Sequence, residues 1–189
     1  MKRLNIILLA VLLIGLTSCL EDQKNNFGEN SEDAYEQYQK ALALKEAEAE
    51  KITERLCNYF PTDLIMKYNT DAKRVEIERV ELVPEKLAHC KIKLFYGDKE
   101  YEYWEGQVSA WAPKTDQPFF QYNPERNASL YHKVDGIGEK AVFISNTYQL
   151  LILKDGIMYS IVPPNRGRTT NTGKENKEIA LELAAHYQL

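Results

Sequence analysis

Hydrophobic and polar positions change period several times along this chain, and each change marks an element. An apolar run of about eleven residues, Ile6 to Leu16, follows Lys2 and Arg3. It is too short to span a bilayer as a stable helix. Residues 20–31 are polar and without periodicity, the pattern of a flexible spacer. Ser31 then offers an N-cap, with Glu32 and Asp33 where a helix dipole favours negative charge. Apolar side chains recur as Tyr35, Tyr38, Leu42, Ala49, Ile52 and Leu56 on a surface dense in Glu, Lys and Gln. That stripe predicts a long amphipathic helix over 31–56. Pro61 interrupts it, and Thr62 or Asp63 is expected to cap a short second piece through Tyr68.

After Asn69-Thr70-Asp71 the period becomes two. Val75, Ile77, Val80 and Leu82 alternate with charge in two registers, which predicts a strand with a bulge near Arg79. Cys90, Ile92, Leu94 and Tyr96 alternate with Lys91, Lys93 and Phe95 as a half-buried strand ending at Gly97-Asp98, and 101–112 reads as its hairpin partner. Residues 113–129, rich in Pro, Asn and Gln, read as a loop. Strands are expected over 140–144, 149–153 and 157–162, the last two joined through Asp155-Gly156. Thr172-Gly173-Lys174-Glu175 reads as a capping box opening a final helix with the stripe Ile179, Leu183 and Tyr187. The expected fold is α+β: a two-layer sandwich of a five- or six-stranded antiparallel sheet, with the N-terminal amphipathic helix and the C-terminal helix on one face and water on the other.

The formal charge of −4 provides no electrostatic footprint for nucleic acid, so no nucleic-acid partner is expected.

Leu16-Thr17-Ser18-Cys19, placed after the charged start and the apolar run, resembles the lipobox of bacterial lipoproteins. The resemblance implies a signal peptide over 1–18, acylation of Cys19 as the mature first residue, a tether over 19–30 and one α+β domain over 31–189. Membrane would then be a partner through the lipid on Cys19, with several acyl chains giving stable anchoring. Leu20 in place of Asp after the cysteine is similar to outer-membrane sorting, and Glu21-Asp22 resembles export signals that place some lipoproteins on the cell surface. A lipid-anchored position in the cell envelope, at the periplasmic face or the surface of the outer membrane, is the expected localisation. With Cys19 assigned to lipid, Cys57 and Cys90 are left as an even pair in an oxidising compartment. A disulfide between them is expected, with two buried thiols as the alternative. Asp135-Gly136-Ile137-Gly138-Glu139-Lys140-Ala141, Leu150 to Gly156 and the terminal alanine-rich helix also resemble small bacterial lipoproteins of unknown function with a G-[IL]-G-[DE]-x-A turn. That similarity covers roughly 56–188 and implies an α/β two-layer sandwich and no activity.

No ligand stands at metal-site spacing beside His89 and Cys90, and His132 and His186 are isolated, so no metal and no cofactor is expected. Gly136-Ile137-Gly138 lacks the third glycine of a phosphate cradle and precedes a strand, which makes it a turn. Tyr96, Tyr101, Tyr103, Trp104, Trp111, Phe119, Phe120, Tyr122 and Tyr131 crowd into one third of the chain. Aromatics with polar handles suit core packing or recognition of glycan or protein, and Trp104, Trp111 and Tyr122 are the candidate recognition surface. Arg166 and Arg168 precede the last helix and are candidates for presenting an anion to its amino end. No nucleophile-elbow, zinc-protease or P-loop motif is present, so no catalytic residue is assigned and the chain is read as a non-enzyme. The function expected is that of an envelope lipoprotein whose domain binds a partner protein or envelope polymer. A small glycan or cell-wall hydrolase, and an assembly subunit acting through the 31–56 helix, are the rival readings.

Overall fold

The computed structural model describes residues 46–81, 86–113 and 117–189. The lipobox, the tether, the 31–45 part of the predicted helix and Leu82 lie outside them. Helix α1 is described over 46–58, and its last turn, Glu54–Asn58, is π-helical. Its buried stripe includes Ile52, Leu56 and Cys57. Phe60 donates to the Cys57 carbonyl at 3.4 Å, and Pro61 has no N–H, so the Leu56 carbonyl finds no donor in the chain just beyond it. The Tyr187 hydroxyl supplies that donor at 2.8 Å. Helix α2, Thr62–Tyr68, follows with Pro61 at the N-cap and no side-chain cap bond, so neither Thr62 nor Asp63 caps it. Proline already sets the backbone angle for entry, and Asp63 still lies in the first turn.

The sheet is antiparallel throughout and has seven strands: β1 Arg74–Arg79, β2 Lys86–Phe95, β3 Tyr103–Trp111, β4 Tyr131–Val134, β5 Lys140–Ile144, β6 Gln149–Lys154 and β7 Ile157–Val162. Their order is β1-β2-β3-β7-β6-β5-β4. Two meanders therefore lie side by side, joined where β3 pairs with β7. The strand absent from the expected five or six is β4. It is a four-residue edge strand whose Tyr131, His132 and Val134 are only half-buried, too short to show an alternation in the sequence. The bulge expected near Arg79 is not there. Strand β1 ends at that residue, Val80 still donates to the His89 carbonyl at 2.9 Å, and the register shifts instead between Lys86 and Ala88 of β2.

Period-two alternation sends Cys90, Ile92 and Leu94 of β2, Val108 and Ala110 of β3, Leu150 and Ile152 of β6 and Ile161 of β7 to one face, where all are buried. They share one cluster with Ile52 and Leu56 of α1, Ile65 of α2, and Ile179 and Leu183 of helix α4, Asn176–His186. Three helices rather than two thus contribute to the cover of this face. The amino end of α4 is capped differently from the expected box: Glu175 N–H donates to Glu178 Oε2 at 3.1 Å, while Thr172 Oγ1 donates to the Tyr68 carbonyl at 3.0 Å. The helix begins one residue after Glu175, which is itself the N-cap of a reciprocal box with Glu178, so Thr172 lies too far upstream to cap it.

The second face is not left wholly to water. Its β1–β3 half carries ion pairs, Lys93 Nζ 2.7 Å from Glu78 Oε2 across β2 and β1, and Arg74 Nε 2.7 Å from Glu76 Oε1 along β1. On its β5–β7 half, Val142, Ile144, Leu151 and Met158 are buried against Trp111, Phe119, Tyr122 and Tyr131. The connection from β3 to the far edge supplies this lid, and it contains a short helix, α3 Gln117–Gln121, where a plain loop was expected.

Cys57 and Cys90 form a disulfide with a Cα–Cα distance of 5.5 Å, joining α1 to β2. Thr53 Oγ1 donates to the Leu87 carbonyl at 3.0 Å beside it.

Candidate functional site

The helices that cover the main face stop short of the tip of the β2–β3 hairpin. Leu94 and Trp104 are cross-strand partners and so project to the same face. Leu94 is fully buried, yet Trp104 keeps 45% of its surface in water. Beyond it Tyr101, in the hairpin turn, is 72% exposed. Together with Asp71, Tyr96, Glu102 and Arg166 they line an open cleft of about 530 Å³.

Each wall of the cleft comes from a different part of the chain. Asp71 follows α2, whose C-terminal Asn69 is buried and donates from Nδ2 to the Ile65 carbonyl at 2.9 Å. Asn69 Oδ1 accepts from the Tyr96 hydroxyl at 3.2 Å, which ties the tyrosine ring to α2. Burial, helped by the negative charge of Asp71 and opposed by Arg166, pushes the Tyr96 phenol up to about 12. Arg166 stands over the Tyr96 ring, 5.5 Å from its centroid. Lys99 sits 5.4 Å from the Tyr101 ring and 3.9 Å from Glu102 Oε1. Glu102 folds back over Gly97, in space that a side chain there would occupy.

Arg166 reaches this position through two devices. Asn176, buried at the start of α4, accepts from Asn165 Nδ2 at 2.8 Å and donates to the Gly167 carbonyl at 2.6 Å, so the loop is held on both sides of the arginine. Gly106 of β3 lets the Pro163-Pro164 segment pass: a Cβ there would stand 2.4 Å from Pro164 N and 2.5 Å from the Val162 carbonyl oxygen.

The residues singled out in the sequence are therefore divided. Trp104 and Arg166 meet in the cleft. Trp111 and Tyr122 lie on the opposite face, half-buried over the second cluster, with Tyr122 packed edge-on against Tyr131 at 5.5 Å. The three-aromatic surface expected from composition does not form, because Trp104 and Trp111 stand an odd number of positions apart along one strand. Arg168 does not join Arg166. It lies 3.5 Å from Glu175, and carboxylates of the chain itself, Glu175 and Glu178, occupy the amino end of α4 where an external anion was expected. Asp71, Asn69 and Gly106 were not foreseen. No local motif marks them, since their roles arise only where α2, the hairpin and the post-β7 loop meet.

Two further concavities flank the sheet. One of about 480 Å³ holds His132, Tyr148, Arg168 and Lys177. The other, about 420 Å³, lies between Tyr122 and the turn whose Gly136 and Gly138 have φ of +80° and +54°. Neither is lined by a large apolar ring exposed as Trp104 and Tyr101 are. Among the described residues no group of three or more His, Cys, Asp or Glu is placed to hold a metal, and no helix is long and apolar enough to cross a membrane. No protein-family model matches the chain, and neither do the curated proteins or the solved structures.

Proposed function

We propose that this protein is an envelope lipoprotein, acylated at Cys19 and held at the membrane by that lipid, whose α+β domain binds a partner at the hairpin cleft and performs no chemistry. The observation that carries the binding reading is the pair of water-facing rings, Trp104 and Tyr101, beside Arg166. Large rings with solvated faces next to charged groups are the composition of recognition surfaces. Rings this exposed leave the cleft wet, whereas group-transfer sites exclude water to strengthen their electrostatics.

Two experiments test it. Cell fractionation of Cys19→Ser should move the protein out of the membrane fraction, and undiminished membrane retention would place the anchor elsewhere. A photocrosslinking residue at position 101 should capture an envelope component in intact cells that the same residue at the exposed Phe120, on the opposite face, does not.

The hydrolase reading has one observation on its side: Asp71 and Glu102 line the same cleft, and glycoside hydrolysis needs two carboxylates. Turnover of peptidoglycan or chitin abolished by Glu102→Gln, with the fold intact, would replace the binding reading with that one.

A further inference from the structure

The cleft also carries a statement about what it binds. Resting on the binding reading above, we infer that its ligand is a neutral saccharide, a hydroxyl-rich ring stacked on Trp104 and Tyr101.

Charge argues first. Asp71 and Glu102 line the cleft together with Arg166, and Lys99, which lies outside the lining, stands 3.9 Å from Glu102 and offsets its charge. A site so balanced has no net attraction for an anion or a cation, and an ionic ligand would lose hydration without an uncompensated partner to replace it.

Shape and hydrogen bonding argue next. The C–H face of a sugar ring is apolar and flat, and Trp104 and Tyr101, the latter with Lys99 over one side of its ring, keep 45% and 72% of their surface in water. Around its edge a sugar presents adjacent hydroxyls that both donate and accept. Carboxylates accept from such pairs, and a guanidinium donates to them in a fork. Asp71, Glu102 and Arg166 provide both functions at the rim. The Tyr96 hydroxyl is already committed to Asn69 and its ring to Arg166, so Tyr96 forms the floor instead of a contact for the sugar edge. An extended apolar peptide would leave these three charged groups without polar partners.

The test uses the full-length protein in a detergent without a sugar headgroup, with chitotriose, cellotriose and maltotriose as neutral probes and trigalacturonate as the anionic one. Binding is followed by saturation-transfer NMR and by tryptophan fluorescence. Saturable binding of at least one neutral trisaccharide is expected, with trigalacturonate weaker. Trp104→Ala should weaken it about tenfold, the loss of one aromatic stack. Tyr101→Ala, at a residue too exposed to affect folding, should weaken it in the same direction, while Trp111→Phe on the other face should leave it unchanged. Failure of all neutral probes with the fold intact overturns the inference, as does binding insensitive to both Trp104→Ala and Tyr101→Ala. A crosslink from position 101 to an envelope protein in cells, combined with no saccharide binding, would overturn the saccharide inference and leave the binding cleft standing. Neither crosslink nor saccharide binding would remove both.

Discussion

The Tyr96 hydroxyl donates to Asn69 at 3.2 Å while its ring carries Arg166, so one side chain joins α2, the hairpin and the post-β7 loop. Its phenol is held neutral by burial first and by the Asp71 charge second, at about 12 against an ordinary 10.0. The folded-state value is raised, so the contribution to stability is complete below pH 10 and is lost as pH rises from 10 through 12. Urea midpoints should fall across that window in the parent and fall less in Tyr96→Phe, which has no phenol to ionise. Parallel pH profiles for the two proteins would mean that Tyr96 is not the group responsible. The residue scale is also where sequence reading is weakest for the site. Tyr96 was visible as part of an aromatic cluster, but nothing near it in sequence announces that Asn69 will orient it.

Elements here are joined at single close contacts, and two of them make predictions. Gly106 has backbone of the neighbouring segment within 2.8 Å of where a Cβ would stand. Gly106→Val should therefore push the Pro163-Pro164 segment away from β3, lowering stability by about 1–3 kcal/mol as overpacking does. It should also displace Arg166, so ligand binding at the cleft should weaken along with stability. Parent-like urea midpoints and parent-like binding would show that the loop is not held by this contact. The second joint is the disulfide. Closing a loop of sequence separation 33 stabilises by about 4 kcal/mol in the chain-entropy model. Cys90→Ser should lower the unfolding free energy by that order, and peptide mapping of the unreduced parent should recover the Cys57–Cys90 linkage. A change below about 1 kcal/mol would indicate that the helix is held to the sheet by Thr53, Leu56 and Ile52 without help from the bond.

At the scale of the whole molecule, the ion pairs that tie segments together are mostly at the surface and act on acid stability more than on neutral stability. Burial alone would raise the Glu182 carboxyl, but hydrogen bonds from Lys174 at 3.0 Å and Tyr68 at 2.8 Å outweigh it and hold the group below its ordinary value. Glu78 and Asp98 are lowered by their lysine partners, Lys93 and Lys73, and Glu178 by the backbone N–H of Glu175. His89 is lowered as well, by burial first and by Lys86 second. Lowered carboxylates contribute above their unfolded values near 4 and lose that contribution as pH falls through the folded ones, and a lowered histidine begins to lose stability below about 6.5. Stability should thus decline in two stages on acidification, a shallow one below about pH 6.5 and a steeper one below about pH 4.5. In His89→Gln the first stage should shrink, and in Glu182→Gln the second. A flat profile down to pH 3 would show that these pairs are not coupled to folding.

Periodicity along the chain determined much of this architecture. A 3.6 period marked α1 and α4, and a period of two marked β2, β3 and β5–β7. These features are local, because side-chain direction follows from backbone geometry over a few residues. Alternation states which side chains share a face, but it does not state which strands are neighbours. The pairing of β3 with β7 was decided by contacts between residues about fifty positions apart, such as Val108 with Ile161. That pairing sends the post-β7 loop to the hairpin and brings Arg166 to Trp104. It also makes the 112–130 connection cross to the far edge, so that Phe119 and Tyr122 cover a face expected to meet water. The cleft exists because three segments distant in sequence end at the same place, and only their mutual packing in three dimensions brings them there.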